Sequence, residues 1–261
     1  MFVIGYMVAN KLMEKICRKW MKMRLQPIRV FCLHHVCEQF DADAMHPCDW
    51  MALDEFKQKI IALRNQRYHF ISLTEAYDHL QKDWFRRQKY AVLTFDDGYK
   101  SLKEVLPWLE EQQIPATLFI NGKYLDGTSY RETPKEQYLT YDELFSLTNP
   151  LIEIGHHGWE HTAATEMTDE ELLDSLQKNM EVLYAHPRYV PFWAYTYGKY
   201  TDQTNFLLRN NKLILVKVSG EQNFHLQEAV DRESIFMDKK LISMMTCRNQ
   251  YICKTCMYNF K

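Results

Sequence analysis

Apolar and polar positions alternate along this chain in two rhythms, and their order predicts an architecture. Short runs rich in β-branched and aromatic residues predict strands at 28–33, 70–72, 90–95, 116–120, 151–155, 189–194 and 213–218. Between them the spacing turns helical. Phe56, Ile60 and Leu63 fall at i, i+4 and i+7 within 53–64, and similar stripes run over 73–80, 102–112 and 203–210. Thr140 with Glu143, and Thr168 with Glu171, each read as a capping box, in which hydroxyl and carboxylate satisfy end amides reciprocally. Strands that alternate with helices imply a parallel sheet, open or closed into a barrel. In either form, chemistry belongs at the C-terminal ends of the strands.

No repeat or Pro/Gly/Ser-rich linker divides the chain. One domain is expected over 26–240, after a basic amphipathic segment at 1–25 and before a cysteine-containing tail at 241–261.

Composition narrows the function classes. The 261 residues are 46% hydrophobic and 25% charged, as in an ordinary globular protein with room for a sizeable core. A net charge of −2 gives no electrostatic reason to bind nucleic acid. Aromatic residues reach 14%, either as core side chains or, for some, as the lining of a sugar-binding groove. Seven cysteines, odd in number and irregular in spacing, argue against a disulfide framework and for a reducing compartment. Cys247, Cys253 and Cys256 hint at a zinc knuckle but lack a fourth ligand at suitable spacing, so they read as free thiols. The apolar start, 1–9, is far short of the ~20 residues that span a bilayer, and its basic residues follow the apolar run rather than precede it. It reads as a helix with a weak preference for a membrane surface, as a helix packed on the domain, or as a frayed leader. A cytoplasmic location is expected, with any membrane contact peripheral.

The strand ends carry the candidate chemistry. The strand at 90–95 runs into Asp96-Asp97-Gly98. Adjacent carboxylates after a buried strand raise each other's pKa unless a cation intervenes, although Asp-Gly is also a common turn. The strand at 151–155 runs into His156-His157-Gly158-Trp159-Glu160-His161. Such a histidine cluster together with a carboxylate suits zinc or another late divalent metal, and His157 and His161 at i, i+4 can face one ion. The first strand ends in His34-His35, a source for a general acid near neutral pH or simply a structural pair.

These residues resemble a known family. Thr94-Phe95-Asp96-Asp97-Gly98 is similar to the TFDDG motif of the polysaccharide deacetylases, the NodB-homology or carbohydrate esterase family 4 enzymes. The stretch 153–161 resembles their EIGSHTxxH motif, and Trp193-Ala194-Tyr195-Thr196-Tyr197-Gly198 resembles FAYPYG. Val30-Phe31-Cys32-Leu33-His34-His35-Val36 is similar to the VLMYHRV segment of a branch that includes poly-N-acetylglucosamine de-N-acetylases, whose domain looks circularly permuted. The resemblance implies a distorted (β/α) barrel of about seven parallel strands, one divalent metal, commonly zinc, and an N-acetylated carbohydrate substrate. It implies that Asp97, His157 and His161 hold the metal, that Asp96 is the general base, and that His34 is the general acid. It further implies that the backbone amide of Tyr197 helps hold the oxyanion.

Several positions depart from the family pattern. His156 stands where Ser is usual, as a competing ligand, an orienting partner or a core residue. Gly158 replaces a Ser or Thr that buttresses the metal ligand, and Thr196 replaces a stiffening Pro, which implies a more mobile groove wall. Ala194 stands where other members carry an Arg that pairs with the base, and Arg232 is the candidate substitute. Three readings stay open: an active de-N-acetylase, a glycan-binding module that lost turnover, and an amidase acting on a non-sugar amide.

Overall fold

The computed structural model describes residues 26–41, 45, 48–82, 86–127, 138–225 and 229–234. Its centre is a ring of parallel strands. Strand β1 (Ile28–Leu33) pairs with β5 (Lys89–Phe95). The ring continues through β6 (Ala116–Ile120), β7 (Ile152–His156), β8 (Tyr189–Ala194), β9 (Ile214–Val218) and β10 (Val230–Ser234), which pairs back onto β1. The result is a closed seven-stranded (β/α) barrel in a single domain, the architecture expected from the sequence. Strand β4 (Tyr68–Phe70) pairs with the first half of β5, whereas β6 pairs with its second half. Strands β2 (His35–Cys37) and β3 (Trp50–Ala52) form a separate pair above the ring.

Side chains of a strand alternate between faces, and here the two faces feed two different cores. Val30, Val92, Phe119, Phe192, Ala194, Val216 and Val230 fill one buried cluster, the barrel interior. The intervening residues Phe31, Leu93, Phe95, Leu118 and Ile154 pack outward against helices Leu53–Asn65 and Leu102–Glu111. This alternation also sorts the polar residues. Counting on from the interior positions, Cys32, Thr94, Asp96, His157 and Arg232 point inward, and His156 points out.

Helix Leu73–Lys82 contributes Leu73, Ala76 and Leu80 to the interior cluster and so plugs the lower end of the barrel. The strand expected at 70–72 is shifted to Tyr68–Phe70, because the Ser72 hydroxyl accepts from the Glu75 amide and opens this helix instead. Glu153, inside β7, accepts from the amides of Leu73 (3.1 Å) and Thr74 (3.3 Å) and from the Thr117 hydroxyl (2.8 Å). A buried carboxylate thereby meets the positive end of the helix and two of its orphan amides. Both expected capping boxes form, at Thr140/Glu143 and Thr168/Glu171, though the first opens only the short helix Tyr141–Phe145. The segments 1–25 and 241–261, with the expected basic helix and the cysteine tail, lie outside the described residues. Among the described residues no helix is long and apolar enough to cross a membrane.

Replacing Glu153 with Ala removes three hydrogen bonds to a buried carboxylate and strands two helix amides. Stability should fall by about 2–4 kcal/mol, read as a lower midpoint in urea unfolding.

Candidate active site

The site lies at the C-terminal mouth of the barrel, where β1, β5, β7 and β8 end. After β5 the chain turns through Asp97 and Gly98, with φ of 71° and 77°. Three of the six non-glycine residues with positive φ among the described residues belong to this mouth: Asp97, His161 and Tyr197. Such conformations cost free energy and are held only by surrounding structure, so their grouping marks a constrained site.

Asp97, His157 and His161 come together. Asp97 Oδ1 lies 3.2 Å from His157 Nε2 and 3.0 Å from His161 Nε2. Burial opposes the charge on Asp97, but the two imidazoles outweigh it and hold the carboxyl well below its ordinary range. Yet Asp97 Oδ1 is buried and makes no hydrogen bond of acceptable geometry among the described residues. The two imidazoles and the carboxylate oxygen thus bring three potential ligand atoms to one point. Ligand atoms ~2.1 Å from one ion at roughly tetrahedral angles sit about 3.1–3.4 Å apart, close to the separations found. One carboxylate and two imidazoles therefore fit a divalent metal, and among the described residues they form one of two groups with suitable spacing.

The outer ring nitrogens fit as well. His157 Nδ1 donates to the Ala194 carbonyl at 2.9 Å, which leaves Nε2 for a ligand. The His157 carbonyl in turn accepts from the Thr196 hydroxyl (2.9 Å) and the Asn121 side-chain amide (2.6 Å). Thr196 is thus tied to the segment that carries His157. Gly158 has φ of 82°, a conformation that disfavours Ser or Thr, and Thr196 and Asn121 supply the polar support from outside the motif.

Asp96 is the most enclosed part of the site. Arg232, fully buried on β10, donates from Nη1 to Asp96 Oδ1 (2.5 Å) and from Nη2 to Oδ2 (2.8 Å). Nη1 also donates to the Thr94 hydroxyl at 3.1 Å, and the guanidinium lies 5.3 Å from the Phe119 ring centroid. Burial favours the neutral acid, but Arg232, then His157, reverse this and lower the Asp96 pKa. The Cys32 thiol donates to Asp96 Oδ2 at 3.4 Å. Sequence reasoning missed Cys32 and Asn121. Inward parity on β1 would have found the first; the second carries no local signal.

The remaining candidates separate. His34 is half-buried at the end of β1, grouped with Cys32 and Asp96. Its neighbour His35 is committed to packing, stacked 3.7 Å from the Tyr99 ring and bonded to Ser101. Tyr197 follows β8 with an exposed ring whose centroid is 4.7 Å from that of His161. His156 faces outward and is fully buried between Tyr189 (3.0 Å) and Asn179 (3.2 Å). Burial pushes its pKa down to about 3, so it is a neutral core residue and not a competing ligand.

The mouth of this (β/α) barrel gathers two carboxylates and two histidines in an arrangement that could hold a metal ion. The sequence model of the polysaccharide deacetylase family matches residues 86–215, and the chain belongs to that family, whose enzymes hydrolyse the amide of N-acetyl groups. A protein of Bacillus subtilis (strain 168), YxkH, whose own assignment as a polysaccharide deacetylase is provisional, is 23% identical over 155 residues. That match covers 58% of this chain and only 52% of YxkH, so the chain aligns with about half of that relative. The structure of IcaB from Ammonifex degensii superposes with a TM-score of 0.68 at 19% identity, covering 85% of this chain and 96% of that one. The deacetylase PplD of Streptococcus pyogenes, solved with acetate, gives 0.66 at 17%, covering 85% and 100%. At these identities the structural likeness speaks for the fold.

Two outcomes follow from the geometry. The Asp97, His157 and His161 group should bind one divalent ion tightly, and Asp97→Ala or His161→Ala should abolish this tight binding in a titration monitored by calorimetry. Arg232→Met strands a buried carboxylate and should cost about 3–5 kcal/mol in denaturant unfolding. Because Arg232 holds the Asp96 pKa down, the pair's stabilisation is complete above the ordinary carboxylate range and fades as pH falls through the lowered value. In the variant burial raises the Asp96 pKa instead, so acidification should relieve part of the deficit, and the stability gap between the two proteins should narrow as pH falls.

Proposed function

We propose that this chain is a metal-dependent de-N-acetylase that removes acetyl groups from N-acetylglucosamine-type glycans, with residues 26–240 as its catalytic unit. The observation that carries this reading is the convergence of two imidazoles on one buried Asp97 oxygen, set beside a second carboxylate locked by arginine. Zinc suits the donor set best. Family membership supports the acetamide as the group hydrolysed.

Asp97, His157 and His161 would hold the ion. A cation bound there supplies a Lewis acid for the acetyl carbonyl and lowers the pKa of the attacking water toward ~7. Asp96 is the general base. Its pairing with Arg232 keeps it anionic and fixes its carboxylate plane, so it accepts a proton from water without reorienting. The backbone N–H of Tyr197, held in its left-handed turn, donates to the oxyanion that forms on the carbonyl. His34, half-exposed on the β1 side of the mouth, protonates the departing amine.

The test is acetate release from N-acetylglucosamine oligomers. Activity should require a divalent metal, vanish with chelator, and drop ~10²–10⁴-fold in Asp96→Asn. Glycan binding that survives both treatments, with no acetate released from any N-acetylated glycan, would replace this reading with a binding module. Acetate release from simple non-sugar acetamides alone would replace the substrate class.

A further inference from the structure

The mouth of the barrel holds a second set of metal-ligating groups that the hydrolytic reading does not use as ligands. Cys32, His34 and Asp96 each offer a donor atom, all within 4.8 Å of one another. We propose that they form a second, lower-affinity site for a late divalent cation such as Zn²⁺, and that its occupancy switches the enzyme off.

The donor chemistry points there first. Thiolate, imidazole and carboxylate together select zinc and its neighbours over magnesium or calcium, and three protein ligands leave a coordination position open. The spacing agrees. Sulfur at ~2.3 Å and oxygen at ~2.1 Å from one tetrahedral ion lie about 3.6 Å apart, and Cys32 Sγ lies 3.4 Å from Asp96 Oδ2. The setting agrees too. Cys32 points inward beneath the mouth and is one of the free cysteines, while half-buried His34 gives access from solvent. A thiol hydrogen bond is weak, so helping to orient Asp96 would not by itself call for a cysteine on an inward face that is otherwise apolar, with Ile28 and Val30.

Binding exchanges the thiol proton for the cation, with the proton released to solvent. The Oδ2 lone pair that faces Sγ then turns to the metal, while Arg232 Nη2 keeps its own bond to the same oxygen at 2.8 Å. Because Arg232 is ion-paired with Asp96 itself and acts on the Asp97 group only as a more distant charge, the second site fills only after the first. The consequence rests on the proposed function. One ion would capture both the base Asp96 and the acid His34, so zinc beyond one equivalent inhibits.

Cobalt titration of the full chain separates the site from its consequence. The first equivalent of Co²⁺ should enter the Asp97, His157 and His161 group without thiolate-to-cobalt charge-transfer absorption in the near ultraviolet. The second should bring that absorption on. It should be lost in Cys32→Ser and kept when Cys247, Cys253 and Cys256 are together changed to Ser. No such band in the native chain, or an undiminished band in Cys32→Ser once the tail cysteines are replaced, overturns the site. In parallel, acetate release should fall about tenfold or more between one and several equivalents of Zn²⁺. The ratio of the two rates should return toward unity in Cys32→Ser, whatever that variant's own rate. A band without inhibition overturns the switch and leaves the site. A chain that releases no acetate at any zinc level refutes the hydrolytic reading, while the cobalt band still decides whether the site exists.

Discussion

The bidentate ion pair between Arg232 and Asp96 is the interaction on which the rest of the site depends. It joins the strand that closes the barrel to the end of the strand that carries both carboxylates, and both partners are buried. Removing either leaves a buried charge without its main partner. The pair also sets the local field. Asp96 stays anionic without needing a cation of its own, so Asp97 and the two histidines are left to hold one. Two adjacent aspartates thus acquire different partners and different tasks from one arginine.

Support for the histidines is distributed in the same manner. The carbonyl of His157 is held by Thr196 from the β8 loop and by Asn121 from the β6 loop, and its Nδ1 by a carbonyl on β8. Gly158 supplies a backbone turn rather than a side chain. What looks like a degraded motif when read position by position is a hydrogen-bonded support for His157 when read across strand ends. The hydroxyl missing at 158 has an equivalent at 196.

Most of the barrel was legible because its strands are buried on both sides and so read as continuous apolar runs. Six of the seven ring strands were read in this way, although β1 and β7 each carry a charged residue, Arg29 and Glu153. The seventh, β10, is mostly charged or polar: the burial of Arg232 is offset by Asp96, distant in sequence, and that of the Asp231 carboxylate by nearby Ser219 and Lys217. The short strands β2 and β3 were missed for lack of length, since each is three residues. At the site, Asp96, Asp97, His157, His161 and His34 were visible from their positions after strands. The sorting of His156 from His157 was not. It follows from parity about the barrel wall, which needs the register of β7.

Barrel closure between β1 and β10 has a consequence in time as well as space. During synthesis the chain emerges from its N-terminal end. By the time residue 161 is made, both carboxylates and all the proposed metal ligands exist, yet the arginine that neutralises Asp96 is still some seventy residues away (232 minus 161). Until β10 arrives, the ring has an open edge and its interior admits water, so Asp96 is solvated like any surface carboxylate. The nascent chain therefore carries ligands long before it carries a site. Closing the barrel completes the fold and charges the active site in one step.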